Sequence, residues 1–545
     1  MTLLVDLFGY LSIVIHGLTI LAQSAALGSV FFLIFLARPL VLPPVILHDT
    51  ARIAAWSALA LVVCEAATVA LESSVLIGTI DLPIVRTLSA GFALAGLAKI
   101  AASLLLALLL FRTGPRANRA LLLAAAAVVL VAATLTTHAA ARLGDRALLL
   151  AVSALHQLGA AIWIGGLPAF IAALARTQTQ ADRRAIGARF SRMSMLGVAC
   201  ILLSGIAMSL TYIASWDALY GTAYGVMVVA KITMFALLLL LGLGNFLTVA
   251  RLRWDPATPT ARLQRFAEIE LALGIAIFFA AASLTSVPPA VDLTEDRVAW
   301  HEILERNRPI WPRLASPDYD SLALPALQDK LDAEAAAAAA KPAAAFVPGS
   351  GELPARNAAD IAWSEYNHHW SGLFVLAIAV LALLNQGGLR AARHWPLLFL
   401  GLAIFLFFRS DPEVWPLGKI SFLDSLRDVE VVQHRFFVVL IVAFGLFEWR
   451  VRATAWRSRW APLVFPLVTA GGGAALLTHS HAIANVKEAL LIELSHTPLA
   501  VVAIAAGCAR WLELRLDGRT ARIAGWVWPI CFFVIGLLLL SYREA

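Results

Sequence analysis

Charged side chains are scarce in this sequence. Asp, Glu, Lys and Arg make up only 14% of its 545 residues, whereas 61% of the residues are hydrophobic. A water-soluble domain has about 25% charged residues, and the mean hydropathy of +0.82 leaves more apolar surface than a soluble fold can bury. The composition therefore excludes a soluble catalytic domain and predicts an integral membrane protein in contact with the lipid bilayer.

Several other features are missing from the sequence, and each absence excludes a class of site or of protein. The four cysteines, Cys64, Cys200, Cys508 and Cys531, stand singly in apolar segments, so we expect neither disulfides nor a thiolate metal cage. No Walker motif and no DKTG motif is present, which excludes an ATP-driven pump. The formal charge of +7 comes from short arginine clusters between apolar runs, which argues against a nucleic-acid-binding surface.

The apolar runs are long enough for helices to cross a hydrocarbon core of about 30 Å, and the short alternating segments of a β-barrel are missing. They predict an all-α, polytopic transmembrane bundle of about 14 helices, eight in the first half and six in the second. The predicted spans are 8–36, 52–78, 88–111, 119–138, 147–174, 193–213, 224–250 and 267–287, followed by 370–385, 395–408, 434–449, 461–478, 489–509 and 524–541.

A polar, alanine-rich segment separates the two halves and is typical of a low-complexity linker with one short helix. We therefore expect a membrane domain over 1–290, a linker over 291–368 and a second membrane domain over 369–545. Arginine clusters occupy every second connection, as expected for cytoplasmic loops. This pattern places the linker and both termini on the extracytoplasmic side.

With this topology, nine of the twelve histidines fall in the outer half of the membrane or at its outer surface. Imidazole nitrogen is a good ligand for copper, zinc or haem iron. At 1.5 Å per residue, His16 and His156 lie about 12 and 14 Å from the outer ends of their helices. We predict one outward metal site in each half: the first from His16, His138 and His156 with Met208 or Met227, the second from His368, His369, His434, His479, His481 and His496.

Each of these residues also has a simpler interpretation. A histidine at the membrane interface usually serves as a hydrogen-bonding residue. The charged residues Glu65, Lys231 and Glu493 inside predicted spans are candidates for a metal site or an ion relay. A structural ion pair between helices, for example of Glu65 with Lys99 or Lys231, is the alternative.

The segment HQLGAAIWIGGLPAF, from His156 to Phe170, resembles the histidine and W-x-G-G-L helix of the CopD family of bacterial copper-resistance membrane proteins. Three further segments resemble that family: FSRMSMLGVACILLSGIAMSL from Phe190, YGVMVVAKITMFALLLLLGLGN from Tyr224, and LTSVPPA at the end of the eighth span. The resemblance covers roughly residues 1–290. The second half resembles the C-terminal extension of longer CopD-like proteins.

The resemblance implies copper handling in the bacterial inner membrane, without enzymatic activity. Copper would be captured by histidines at the periplasmic face and passed toward the cytoplasm, in concert with a periplasmic copper-binding protein. Only six methionines are present, so histidine must carry more of the ligation than in a methionine-rich pathway. Two alternatives stay open: a haem-binding electron-transfer protein with paired axial histidines, and a scaffold whose linker docks a periplasmic partner.

Overall fold

The computed structural model confirms the all-α prediction: 82% of the residues that the structure describes are helical, and none of them lies in a strand. It describes residues 2–80, 82–142, 145–252, 254–255, 258–293, 297–308, 310–318, 322, 358–426, 429–454, 458–478 and 486–544. Outside the helices, an isolated bridge joins Val414 to Ile420.

The chain forms two compact units, one made mainly of Met1–Arg297 and the other of most of the described residues after Val298. The long helices of the first unit are α1 (Thr2–Phe32), α2 (Pro44–Ile80), α3 (Gly91–Thr113), α4 (Arg119–Thr134), α5 (Arg146–Trp163), α6 (Leu167–Arg176), α7 (Gln180–Tyr212), α8 (Ala223–Arg251) and α9 (Ala261–Leu284). Those of the second unit are α10 (Ala358–Gln386), α11 (Leu398–Arg409), α12 (Val429–Ala453), α13 (Val464–Leu476), α14 (Val486–Arg515) and α15 (Gly518–Leu540).

Eleven helices among the described residues are long and apolar enough to cross a membrane. Arg119–Thr134 and Ala461–Leu476 are shorter apolar helices, and α12 occupies the remaining predicted span. Each of the fourteen predicted spans therefore coincides with a helix. The predicted domain limits at 290 and 368 stay predictions.

One predicted span, 147–174, is broken in the middle. The α-helix α5 ends at Trp163 and α6 begins at Leu167, with Gly165, Gly166 and Pro168 around the break. Gly28 of α1 lies against this break so closely that a Cβ on either Gly28 or Gly165 would overlap backbone atoms of the other helix. Small residues at such crossings let membrane helices approach to backbone contact.

Helices α2 and α3 are joined by a buried ion pair. The Lys99 ammonium lies 2.8 Å from the Glu65 carboxylate, and only 5% and 4% of the two side chains are exposed. Of the two partners that the sequence suggested for Glu65, the structure shows Lys99.

Removing one member of this pair leaves the other charge buried and unpaired, which costs about 3–5 kcal/mol. We expect Lys99→Met to lower the thermal unfolding temperature of the purified protein strongly. The double variant Glu65→Leu with Lys99→Met should recover most of that loss, because neither charge remains. A single variant as stable as the wild type would show that the pair is not buried as described.

The start of α10 differs from the prediction. We expected His368 and His369 to precede a helix over 370–385, but α10 already begins at Ala358 and contains both residues. The sequence SEYNHHWSG looked like a loop because it is polar. In the structure its polar groups have partners within the second unit: Arg313 pairs with Glu365 at 3.1 Å, and the His369 side chain is completely buried.

Candidate metal centre in the membrane

His156 lies on α5 facing α7, where its ring Nδ1 is 3.0 Å from the Ser204 hydroxyl. The close approach of Gly159 and Gly197 holds these helices together, since a Cβ on Gly159 would lie 2.7 Å from the Gly197 carbonyl oxygen. The single proton of the Ser204 hydroxyl is donated to the Cys200 carbonyl at 2.6 Å. The hydroxyl oxygen therefore accepts from Nδ1–H of His156.

This arrangement leaves the lone pair of His156 on Nε2, and no described residue forms a hydrogen bond with that nitrogen. A second group that fixes the tautomer and ring orientation through Nδ1 is the usual arrangement around a metal-binding histidine. With Nδ1 bonded to Ser204, Nε2 is the ring atom of His156 that could bind a metal ion.

Two residues on neighbouring helices extend this environment. Met208 follows Ser204 by one helical turn on α7, so the two side chains share a helix face; its side chain is half-buried. Lys231 of α8 has no ion-pair partner among the residues described. Met227, one turn before Lys231, is buried.

Helices α1 and α5 run side by side in the same direction. Gln23 donates to Gln157 at 2.9 Å, and Gly28 packs on Gly165. This register places His16 opposite about residues 150–153, which is about 5–9 Å along the axis from His156. The equal depth inferred from the sequence is therefore not reproduced.

The structure does not assemble the whole first site. The His138 side chain lies outside the described residues, and within the part described no three His, Cys, Asp or Glu side chains converge to hold a metal ion. The ligation of one ion by His16, His138 and His156 stays a prediction.

A polar group that we did not predict lies beside the helix break. The Glu270 carboxylate of α9 accepts hydrogen bonds from Trp163 Nε1 at 3.2 Å and from Asn245 Nδ2 at 2.6 Å. Only 3% of Glu270 is exposed. The sequence contained a signal for this residue, because an acidic residue inside an apolar span is unusual.

In the second unit, the ring of His368 is oriented through Nδ1, as the ring of His156 is. Its Nδ1–H donates to the Ser364 carbonyl at 2.8 Å, and no hydrogen bond to its Nε2 is present in the described part of the unit. The ring stacks on Tyr542 with centroids 3.7 Å apart, and the His496 ring lies edge-on at 6.1 Å. Glu493, one turn before His496, is buried and accepts a hydrogen bond from Thr497.

Two other predicted ligands of the second unit, His369 and His434, have polar partners of their own. His369 uses both ring nitrogens, because Nδ1 accepts from the Arg313 backbone N–H at 2.7 Å and Nε2 donates to the Tyr542 carbonyl at 2.9 Å. His434 Nδ1 lies 2.5 Å from Asp411. His479 and His481 lie outside the described residues. His369 can bind a metal only after one of its two hydrogen bonds breaks.

Comparisons with known proteins agree with the predicted resemblance. Residues 184–284, which include most of α7 and all of α8 and α9, match the family model for copper resistance protein D. The chain is 32% identical over 156 residues to the copper transport protein CutJ of Bacillus subtilis (strain 168), a match that covers 28% of each chain. No solved structure matches the chain. The predicted resemblance to the CopD family is confirmed, and the match to the family model lies within residues 184–284.

Proposed function

We propose that this protein handles copper in the bacterial inner membrane by capturing it at the periplasmic face through histidines and passing it toward the cytoplasm. The proposal depends mainly on one observation. Ser204, which lies within the residues that match the CopD family model, bonds to Nδ1 of His156, so Nε2 is the ring nitrogen that can bind copper. The name of the Bacillus relative, a copper transport protein, supports copper as the cargo.

The ligand chemistry favours a site that copper enters and leaves. Transport needs binding that is favourable but weak enough to release the ion. The imidazole of His156 with a thioether from Met208 offers few ligands, and both suit cuprous ion. A closed four-ligand cage, typical of structural sites, would instead retain the metal.

The second unit supplies the other outward copper site of the proposal. His368 and His496 lie edge to face at 6.1 Å, and Glu493 is one turn from His496. In the proposed topology the linker and both termini are periplasmic, and a periplasmic copper-binding protein delivers the ion there. We assign the protein no catalytic step.

Metal analysis with an optical spectrum on the purified protein tests this function. We expect copper to copurify or to bind after addition of Cu(I), with no Soret band. A Soret band would favour the haem-binding alternative, although the axial offset between His16 and His156 does not suit a pair of axial ligands at one depth. Neither copper nor haem, together with capture of a periplasmic partner by the linker, would favour the scaffold alternative.

A further inference from the structure

Glu270 is a buried acid whose described polar partners are both neutral. The Trp163 indole and the Asn245 amide donate to its two carboxylate oxygens. Burying an ionised carboxylate costs several kcal/mol unless a cation compensates it. Two neutral donors reduce this cost but do not supply the missing positive charge.

The charged side chains on α9 and on the helices that pack against it either lie far from Glu270 or pair with other residues. On α9 itself, Arg265 pairs with Glu268, and on α6 Arg176 pairs with Asp49. On α8, Lys231 lies fourteen residues, or about 21 Å, from Asn245, and Arg251 stands at the helix end. The remaining titratable groups are Arg262 on α9, whose guanidinium lies over the Phe266 ring, Tyr224 on α8, Tyr10 and His16 on α1, and Arg146 and His156 on α5. In the part described, the hydrogen bonds of Glu270 go to Trp163 and Asn245 and to none of these residues.

Asn245 adds an independent observation. Its Oδ1 is buried and has no hydrogen-bond partner in the described structure. A protonated Glu270 has an O–H donor, and a rotation of the Asn245 amide would turn Oδ1 toward it. The same pair of side chains can thus satisfy both the charged and the neutral form of the acid.

The position of Glu270 relates it to the copper site. Trp163 follows His156 by seven residues, about 10 Å along α5 on the same face, and ends the helix at its break. Broken membrane helices in transporters commonly border ion sites. Because Glu270 bonds to Trp163, it lies farther toward the end of α5 than His156 does. Copper that leaves His156 in this direction would pass Glu270.

We propose that Glu270 is a proton-binding site that exchanges its proton for passing copper. The inference rests on the proposed copper function and identifies the ion that moves against the metal. Without copper, Glu270 carries the proton and donates to Asn245. When Cu⁺ passes, Glu270 releases its proton to water and the carboxylate accepts from Asn245, so one positive charge replaces another and no electron is transferred.

Proton release on Cu(I) addition tests the exchange. Protein in detergent and weak buffer is given Cu(I), and released protons are followed with a pH dye while the infrared C=O band of a protonated carboxyl is recorded. Glu270 of the wild type should release about one proton per protein molecule, and this band should be lost. Glu270→Gln should bind copper but release about one proton fewer per protein molecule than the wild type, and the band should be absent. Glu72→Gln, which changes another membrane carboxyl of the unit, should behave as the wild type.

Proton release by Glu270→Gln equal to that of the wild type would overturn the exchange while leaving copper transport intact. If Glu270→Gln fails to fold, Glu270→Asp decides the question, because it keeps an acid and should shift the infrared band without removing it. An unshifted band in Glu270→Asp would contradict the assignment. A wild type that binds no copper would overturn the proposed function, and the exchange with it.

Discussion

Replacing His156 with alanine is expected to abolish tight Cu(I) binding by the first unit. The substitution removes the Nε2 lone pair of the ring that Ser204 orients, and the Met208 thioether, one turn after Ser204 on α7, would be only one further soft ligand. Competition between the purified protein and a chromogenic Cu(I) chelator measures the effect. The second unit contributes its own binding, so the comparison is the copper lost relative to the wild type.

His48→Ala is the matched control. His48 belongs to the same unit, is exposed, and bonds through Nδ1 to the Pro44 carbonyl, so its loss should leave copper binding unchanged. Ser204→Ala should weaken binding about 10–100-fold, because groups that orient a metal ligand typically contribute that much. Wild-type affinity in both His156→Ala and Ser204→Ala would remove His156 from the copper pathway.

Replacing Gly165 with alanine is expected to have the largest effect on folding. Its Cβ would overlap the Ser24 carbonyl oxygen of α1 and backbone of α5, and backbone atoms cannot move aside as a flexible side chain can. Overpacking a core costs about 1–3 kcal/mol even where side chains can adjust. We expect a greater loss here, seen as poor recovery of folded protein and a much lower thermal unfolding temperature.

Gly205→Ala on α7 supplies the control for this substitution. A Cβ at Gly205 meets nothing within 4 Å, and alanine is favoured over glycine in helices by about 1 kcal/mol. This variant should therefore be as stable as the wild type or more stable. Equal unfolding temperatures for Gly165→Ala and Gly205→Ala would show that α1 does not contact the helix break as described.

The sequence was a good guide to the helices because apolar length depends on local composition alone. Helical segments lie at all fourteen predicted spans, and eleven of the described helices are long and apolar enough to cross a membrane. The start of α10 was missed because its polar residues are satisfied by distant partners such as Tyr542. The break at Gly165 was not anticipated either. Glycine tolerates both a regular helix and a break, and the choice depends on the packing of Gly28.

The candidate site was only partly predictable. The role of His156 as a metal ligand stays a prediction. Its hydrogen-bond partner Ser204 lies 48 positions away and had no distinguishing local signal. The depth of His16 relative to His156 depends on the register of two helices, which Gln23 and Gln157 report and hydropathy does not. His369 shows the same limit, because a histidine with two occupied nitrogens and one with a free nitrogen look identical in sequence.

Copper flux into sealed vesicles tests the central claim most directly. Purified protein is reconstituted into proteoliposomes, Cu(I) is added outside, and the trapped copper is measured after the external metal is removed. Wild-type vesicles should accumulate copper above protein-free vesicles, and vesicles with His156→Ala should not. Copper contents that are the same in wild-type, His156→Ala and protein-free vesicles would contradict transport through this protein.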